Sequence, residues 1–333
     1  MVYFYTISVI IVVFYGIGLF GNFNVIWATY RHKHLRNKHG LLLANLAVYH
    51  IICISNQFVN MKYSYSHQLP RQNECFKWIL PYVFAICAQA MMYVVIGGDL
   101  LAAILVPLKH RIIRPLPYVL IVSVPVWLYS TTVTVWGAFS VEERTIMFCN
   151  PTLALSGTVN RFWLYSNLAI IAVVIIFHLM ARMILVNRIA AHRRSSSMSK
   201  ESERNGILRR SVYKDQQKAL HSISIQLVLF LWAWCTAIVA IEFLDDILYK
   251  YLPNHEIRDI LQSYMVFFAL LCYSQSYYIL FWRSPEYAAA FKEQLRIMRR
   301  SFVDEKGKGL KSREYTVTTE GVRRFSGTGS VKV

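Results

Sequence analysis

The stretch WILPYVFAICAQAMMYVVIGGDLLAAILVP, from Trp78 to Pro107, decides the fold of this chain. Its only charged residue is Asp99, and as an α-helix it is long enough to cross about 30 Å of hydrocarbon. Six further apolar stretches flank it, so the sequence predicts seven membrane spans. The predicted spans are Phe4–Tyr30, Gly40–Met61, Trp78–Pro107, Pro117–Val141, Phe162–Asn187, Ala219–Leu244 and Ile260–Trp282.

Positive charge lies almost entirely on one side of these spans. Of the 36 lysines and arginines, 29 lie in the first, third and fifth connections, the adjoining span end or the C-terminal tail. Cytoplasmic segments are enriched in these residues, so the tail is predicted to be cytoplasmic and the N-terminus extracellular. The net charge of +18 then reflects topology and attraction to anionic lipid, and nucleic acid is not an expected partner.

The expected fold is all-α, a seven-transmembrane helix bundle followed by a short amphipathic helix. Residues 1–300 are predicted to form one membrane domain, and residues 301–333 a flexible basic cytoplasmic tail. Between them, residues 284–298 carry apolar side chains at helical spacing beside basic ones, which predicts an amphipathic helix on the inner membrane face. The polar, basic connection 187–218 is expected to be flexible and to face lipid.

Two cysteines, Cys75 and Cys149, are predicted to lie outside the membrane, whereas the other four lie inside spans. An oxidising exterior favours a disulfide between them. That bond would hold the second outer loop over the mouth of the bundle and close a long chain loop. The alternative is two free cysteines.

An acid near the inner end of the third span is the strongest functional signal. Asp99 follows Cys75 by 24 residues, a helical rise of about 36 Å, so it lies a full membrane crossing from the predicted disulfide. An uncompensated acid inside a bilayer is costly and therefore marks a functional candidate. The alternative is an acid that snorkels to the inner interface near Lys109 and Arg111.

Short motifs in several spans resemble the rhodopsin class of G-protein-coupled receptors. These are Gly21-Asn22, Leu46-Ala47, the pair Cys75 and Cys149, Asp99 and Pro107. Motifs at both ends more closely resemble the nematode serpentine receptor class SX, a chemosensory family. These are Gly21–Asn24, Ala28–Arg31, Leu35–Gly40, Tyr273–Ser276 and Trp282–Tyr287 with Ala290-Phe291. The resemblance covers about residues 10–298. It implies a plasma-membrane receptor that signals to a heterotrimeric G protein, with the cilia of sensory neurons as one expected location.

The chain departs from the rhodopsin class at its switch positions, which are Asn22, His50, Asp99, Leu100 and Ser276. By the resemblance, Asp99 matches the acid of the Asp-Arg-Tyr switch, but Leu100 replaces the arginine. Without this arginine, the acid–arginine ion pair of the resting state cannot form. Its loss would either raise basal signalling or weaken G-protein coupling, and the sequence leaves both outcomes open. Asp99 is then expected to find Lys109, Arg111, headgroup water or a proton.

His50 stands where most relatives have an intramembrane Asp, and Ser276 where they have an Asn. A histidine on an apolar helix is usually neutral and hydrogen-bonded, so His50 is expected to be a core residue with Asn22 and Ser276 as partners. A sodium site is not expected there, because imidazole is a poor ligand for a hard cation.

Candidate ligand-binding residues occupy the outer half of the third, fifth, sixth and seventh spans. Gln89 and Tyr93 are four residues apart and share a helix face. An apolar pocket with a few polar groups suits a small organic ligand or a short peptide. The alternative to a ligand-binding role for each aromatic residue is helix packing or a place in the interfacial aromatic belt. For Glu242 the alternative is an ordinary solvated charge in a loop. The candidates are Gln89, Tyr93, Trp163, Asn167, Trp234, Ile238, Glu242 and Tyr264.

Other classes of membrane protein fit the sequence less well. A transporter or channel, the main alternative, needs ionisable residues along a path, and the spans hold only His50, Asp99, His178 and, at the edge, Glu242. An enzyme is not expected, because the spans carry no nucleophile motif and no metal-spaced cluster. Residues 260–282 contain no lysine for a retinal Schiff base, so no cofactor is expected.

Overall fold

The structure is a computed structural model that describes residues 2–66, 69–146, 149–196, 224–236 and 266–300. These ranges are helical apart from short connections and an isolated β-bridge between Arg71 and Thr145. The main helices are α1 Val2–Arg31, α2 Lys38–Ser66, α3 Gln72–Leu105, α4 Pro115–Phe139, α5 Gly157–Ser196, α6 Ser224–Thr236, α7 Val266–Arg283 and α8, residues 285–300.

Helices α1 to α5 are long and apolar enough to cross a membrane, and α6 is a shorter apolar helix. Helices suit a bilayer because they satisfy every backbone polar group within the segment. Several of them exceed their predicted spans. The first turns of α3 precede Trp78 by six residues, and α5 continues to Ser196, so the connection predicted to be flexible from residue 187 begins as helix.

Helix α3 is central: it packs against α2, α4 and α5, while α1 packs against α2 and α7. A glycine allows α1 and α7 to approach closely. A Cβ atom placed on Gly21 would lie 2.8 Å from the Cβ of Tyr277, closer than side chains tolerate. Small residues serve this purpose in membrane bundles, where close backbone packing replaces the hydrophobic driving force.

A proline ends α3 and begins a short helix. Val106 has φ −128° and ψ 61°, outside the helical region, as expected for a residue that precedes a proline. Pro107 then occupies the first turn of the short helix Pro107–Ile112, where its missing N–H costs no hydrogen bond. The chain reverses at this point, so the short helix comes back towards the end of α3.

The chain divides into two compact units, residues 1–288 and residues 289–333. In the first, the buried Tyr287 hydroxyl lies 3.2 Å from Thr29 Oγ1. Thr29 donates its own proton to the Val25 carbonyl, so Tyr287 is the donor of this bond. Burial raises the pKa of Tyr287 to about 12, so the hydroxyl keeps its proton at neutral pH. In the second unit, Phe291 is buried and Met298 exposed.

Candidate functional site

The second outer loop is held against the top of α3 by the predicted disulfide. Cys75 and Cys149 are bonded, with Cα atoms 5.4 Å apart, and this prediction is confirmed. The backbone N–H of Cys149 also donates to Asn60 Oδ1 of α2, at 3.1 Å. The loop is therefore tied to two helices beside the outer half of the bundle.

A residue that the sequence did not single out, Gln72, makes a second restraint on this loop. Its side-chain Nε2 donates to the carbonyls of Leu153 and Ala154, both at 3.1 Å, and its Oε1 accepts from the N–H of Glu142 at 3.0 Å. Its own backbone N–H donates to the Arg144 carbonyl. Gln72 is fully buried, so the first turn of α3 is a hydrogen-bonding anchor for both ends of the loop.

Buried aromatic rings from α3, α5 and α6 form a connected series. Tyr93 stacks on Phe230 with ring centroids 4.1 Å apart, and Phe230 stacks on Trp234 at 5.9 Å. Trp163 meets Trp234 edge to face at 6.3 Å. The structure thus brings together three of the predicted ligand-binding residues and adds Phe230 to them.

Polar atoms without partners lie on the same three helices. Gln89 is completely buried, yet neither its Oε1 nor its Nε2 has a hydrogen-bond partner among the described residues. In the same part of the chain, Asn167 Oδ1 and the Trp234 indole N–H also have none, although Asn167 donates to the Trp163 carbonyl. Each unsatisfied buried group costs about 1–3 kcal/mol. A polar ligand with both a hydrogen-bond donor and an acceptor could satisfy these atoms and offset that cost.

Three predicted ligand-binding residues, Ile238, Glu242 and Tyr264, lie outside the described residues. The side chains that are described in the candidate site are amides, phenols, indoles and phenyl rings. Among these described side chains no charged group occurs.

The predicted partners of His50 are arranged differently in the structure. Asn22 donates to the carbonyls of Gly18 and Tyr273, at 2.8 and 2.9 Å, rather than to His50. His50 is fully buried, its ring lies 6.0 Å from that of Tyr273, and within the described ranges neither ring nitrogen has a partner. Ser276 Oγ is likewise without a partner among those residues. The expected hydrogen bonds of His50 to Asn22 and Ser276 are therefore wrong for this structure.

Asp99 also has a different partner from those expected. Its Oδ1 lies 2.7 Å from Nε2 of His110, on the short helix Pro107–Ile112, and the His110 ring packs edge to face on Tyr118 of α4. Asp99 is 4% exposed, so neither Lys109, Arg111 nor headgroup water is needed to hold it. The expectation failed because the chain reversal at Pro107 brings His110 back to α3.

A cavity of about 630 Å³ opens beside this acid. Its lining includes Leu100, the residue at the switch-arginine position, together with His110, Arg111 and Arg283. On the other side of α3, the Arg188 guanidinium of α5 donates to the carbonyls of Ile104 and Leu105. Neither Arg188 nor His110 was predicted. No sequence motif marks a residue whose partner lies on another helix or on the far side of a turn in the chain.

These helices, the tethered loop and the buried acid near the end of α3 have the arrangement of the seven-transmembrane rhodopsin fold. The crystal structure of squid rhodopsin matches with a TM-score of 0.70, covering 89% of this chain and 86% of that chain. The two sequences are 13% identical, so the likeness shows the fold alone.

The particular family follows from the sequence. The model of the family described as serpentine type 7TM GPCR chemoreceptor Srsx matches residues 15–295. The chain belongs to this family and is therefore a multi-pass membrane protein, a G-protein-coupled chemoreceptor, in a family of receptors rather than enzymes. A comparison with curated proteins finds no match.

Proposed function

We propose that this chemoreceptor lies in the plasma membrane with its N-terminus outside, and that it binds a small organic molecule or short peptide in the outer half of the bundle. Binding there alters the inner end and activates a heterotrimeric G protein. The excess of lysine and arginine in the odd connections and the tail supports this orientation. Residues 1–300 would form the receptor domain, and the basic residues 301–333 would associate with anionic lipid.

The observation that carries the proposal is the unpaired amide of Gln89. A fully buried amide with neither atom bonded by the described residues is a poor structural element, because an apolar side chain of the same size would fill that place at no desolvation cost. It is an efficient recognition element, since a ligand with one donor and one acceptor satisfies both atoms at once. Tyr93, one turn away on α3, and the Trp163 and Trp234 rings of the same aromatic series would supply the apolar contact.

Replacing Gln89 with Leu tests this role through two measurements that move in opposite directions. The thermal stability of the ligand-free receptor should rise, because two unsatisfied polar atoms are removed at nearly constant volume. The response to any compound that activates the wild-type receptor should fall by at least about tenfold in potency, as expected for the loss of about 1.4 kcal/mol of hydrogen bonding. Activators would be sought among volatile, peptide and pheromone-like compounds in cells that carry a promiscuous G protein.

Met91→Leu is the matched control, since it lies on the same helix and carries no hydrogen-bonding amide. It should leave both measurements close to wild type. A lower stability for Gln89→Leu would mean that Gln89 already has a structural partner, and the ligand role would be withdrawn. Solute flux through receptor reconstituted in liposomes would instead favour a transporter or channel, and ligand binding without G-protein activation would favour a receptor that has lost coupling.

A further inference from the structure

Four side chains from four elements lie close together at the end of α3. His110, on the short helix Pro107–Ile112, contacts Asp99 at 2.7 Å, and the Tyr118 ring of α4 packs against the His110 ring. Lys38, at the start of α2, donates to the His110 carbonyl and places its ammonium 4.6 Å from the centre of the Tyr118 ring. We call Lys38, Asp99, His110 and Tyr118 the Asp99 cluster.

The Asp99 cluster is shielded from water. Asp99 is 4% exposed and its partner His110 is 17% exposed, and the His110 ring lies edge to face with Tyr118 at 5.8 Å. A nitrogen–oxygen distance of 2.7 Å is characteristic of a hydrogen bond strengthened by charge. Burial reduces the screening of the Asp99 charge by water and salt. Breaking this contact would therefore leave the Asp99 carboxylate inside the protein without its hydrogen bond to His110.

We propose that His110 is a positioning residue that holds Asp99 in the resting receptor, in place of the arginine that Leu100 has replaced. The inference rests on the proposed signalling function, which it deepens. Since His110 belongs to the second inner connection, its bond to Asp99 holds the short helix Pro107–Ile112 against α3. Loss of the bond releases that short helix, next to the cavity lined by Leu100, where a cytoplasmic partner would act.

The test uses the full chain in lipid nanodiscs and needs neither ligand nor G protein. Leu108 lies on the short helix and is 79% exposed, so Leu108→Cys provides a site for a spin label whose mobility reports release. In the otherwise wild-type receptor, the label should be mostly immobile. His110→Gln should increase the ratio of mobile to immobile label about tenfold, and His110→Arg, with a permanent charge and a fork that fits a carboxylate, should keep the label immobile.

Lys109→Gln, a neighbouring exposed change, is the control and should leave the label as immobile as in the wild-type background. The proposal is overturned if His110→Gln leaves the label immobile, if Lys109→Gln releases it equally, or if His110→Arg releases it as much as His110→Gln does. Basal second-messenger output is measured separately at equal surface amounts. If the label shows the expected pattern while output is absent in every variant, the Asp99 cluster stands and the proposed coupling to a G protein fails.

Discussion

Replacing Gln72 with Ala should destabilise the receptor although the disulfide stays intact. The Gln72 side chain makes three hydrogen bonds to the second outer loop, at 3.0 to 3.1 Å, and is fully buried. At about 1 kcal/mol net for each bond, the loss amounts to about 3 kcal/mol. The cost approaches this total only if water does not replace the bonds, which the complete burial of Gln72 favours.

The stabilisation by the disulfide can be compared with that by the Gln72 hydrogen bonds. Cys75 and Cys149 are separated by 74 residues, and closing a loop of that length is worth about 4.5 kcal/mol against a random coil. In a membrane the unfolded chain keeps much of its helix, so the true value is smaller. The Gln72 hydrogen bonds and the disulfide are thus comparable restraints on the same loop.

The assay follows from the free cysteines of the chain. Cys53, Cys87 and Cys272 are buried, so a thiol-reactive fluorescent maleimide reports unfolding of the detergent-solubilised receptor during heating. Gln72→Ala should lower the midpoint by about 6 °C, at about 2 °C for each kcal/mol in a large domain. Glu74→Ala, an exposed change in the same helical turn, is the control. Equal midpoints for Gln72→Ala and Glu74→Ala would refute the reasoning.

Three other predictions concern the bridge, the switch and the regulatory segments. Cys75→Ser or Cys149→Ser should abolish surface expression or ligand response, measured by antibody labelling of intact cells, and a double mutant with wild-type behaviour would show that the bridge is dispensable. Leu100→Arg should lower basal second-messenger output at equal surface amounts with ligand binding nearly intact, but by less than tenfold, because His110 already holds Asp99. Unchanged output would mean that Asp99 is not a switch. Ser195–Ser197 and Ser326 follow paired arginines and should be phosphorylated after stimulation, which would weaken contact with anionic lipid, and phosphopeptide mass spectrometry that finds them unmodified would contradict this. Ser197 and Ser326 lie outside the described residues.

Several features of the candidate site were predictable because they depend on position along one helix. Gln89 and Tyr93 are one turn apart on α3, so both could be assigned to the same helix face before the fold was known. Their neighbours on α5 and α6, Trp163 and Trp234, followed from depth in the membrane. Whether these side chains make hydrogen bonds was not predictable, since an amide can turn to any neighbour within reach, as Asn22 turns to Tyr273 rather than to His50.

By itself, the sequence determined the apolar spans, the pair of outer cysteines and the family to which the chain belongs. These depend on local composition, on the length that a bilayer demands and on short motifs, all of which are present in the linear chain. Only the tertiary structure decided that Gln72 anchors the outer loop, that His110 holds Asp99 and that Arg188 binds the last carbonyls of α3. These contacts depend on the rotation and tilt of whole helices and on the reversal at Pro107, which result from many small packing interactions and not from any single stretch of sequence.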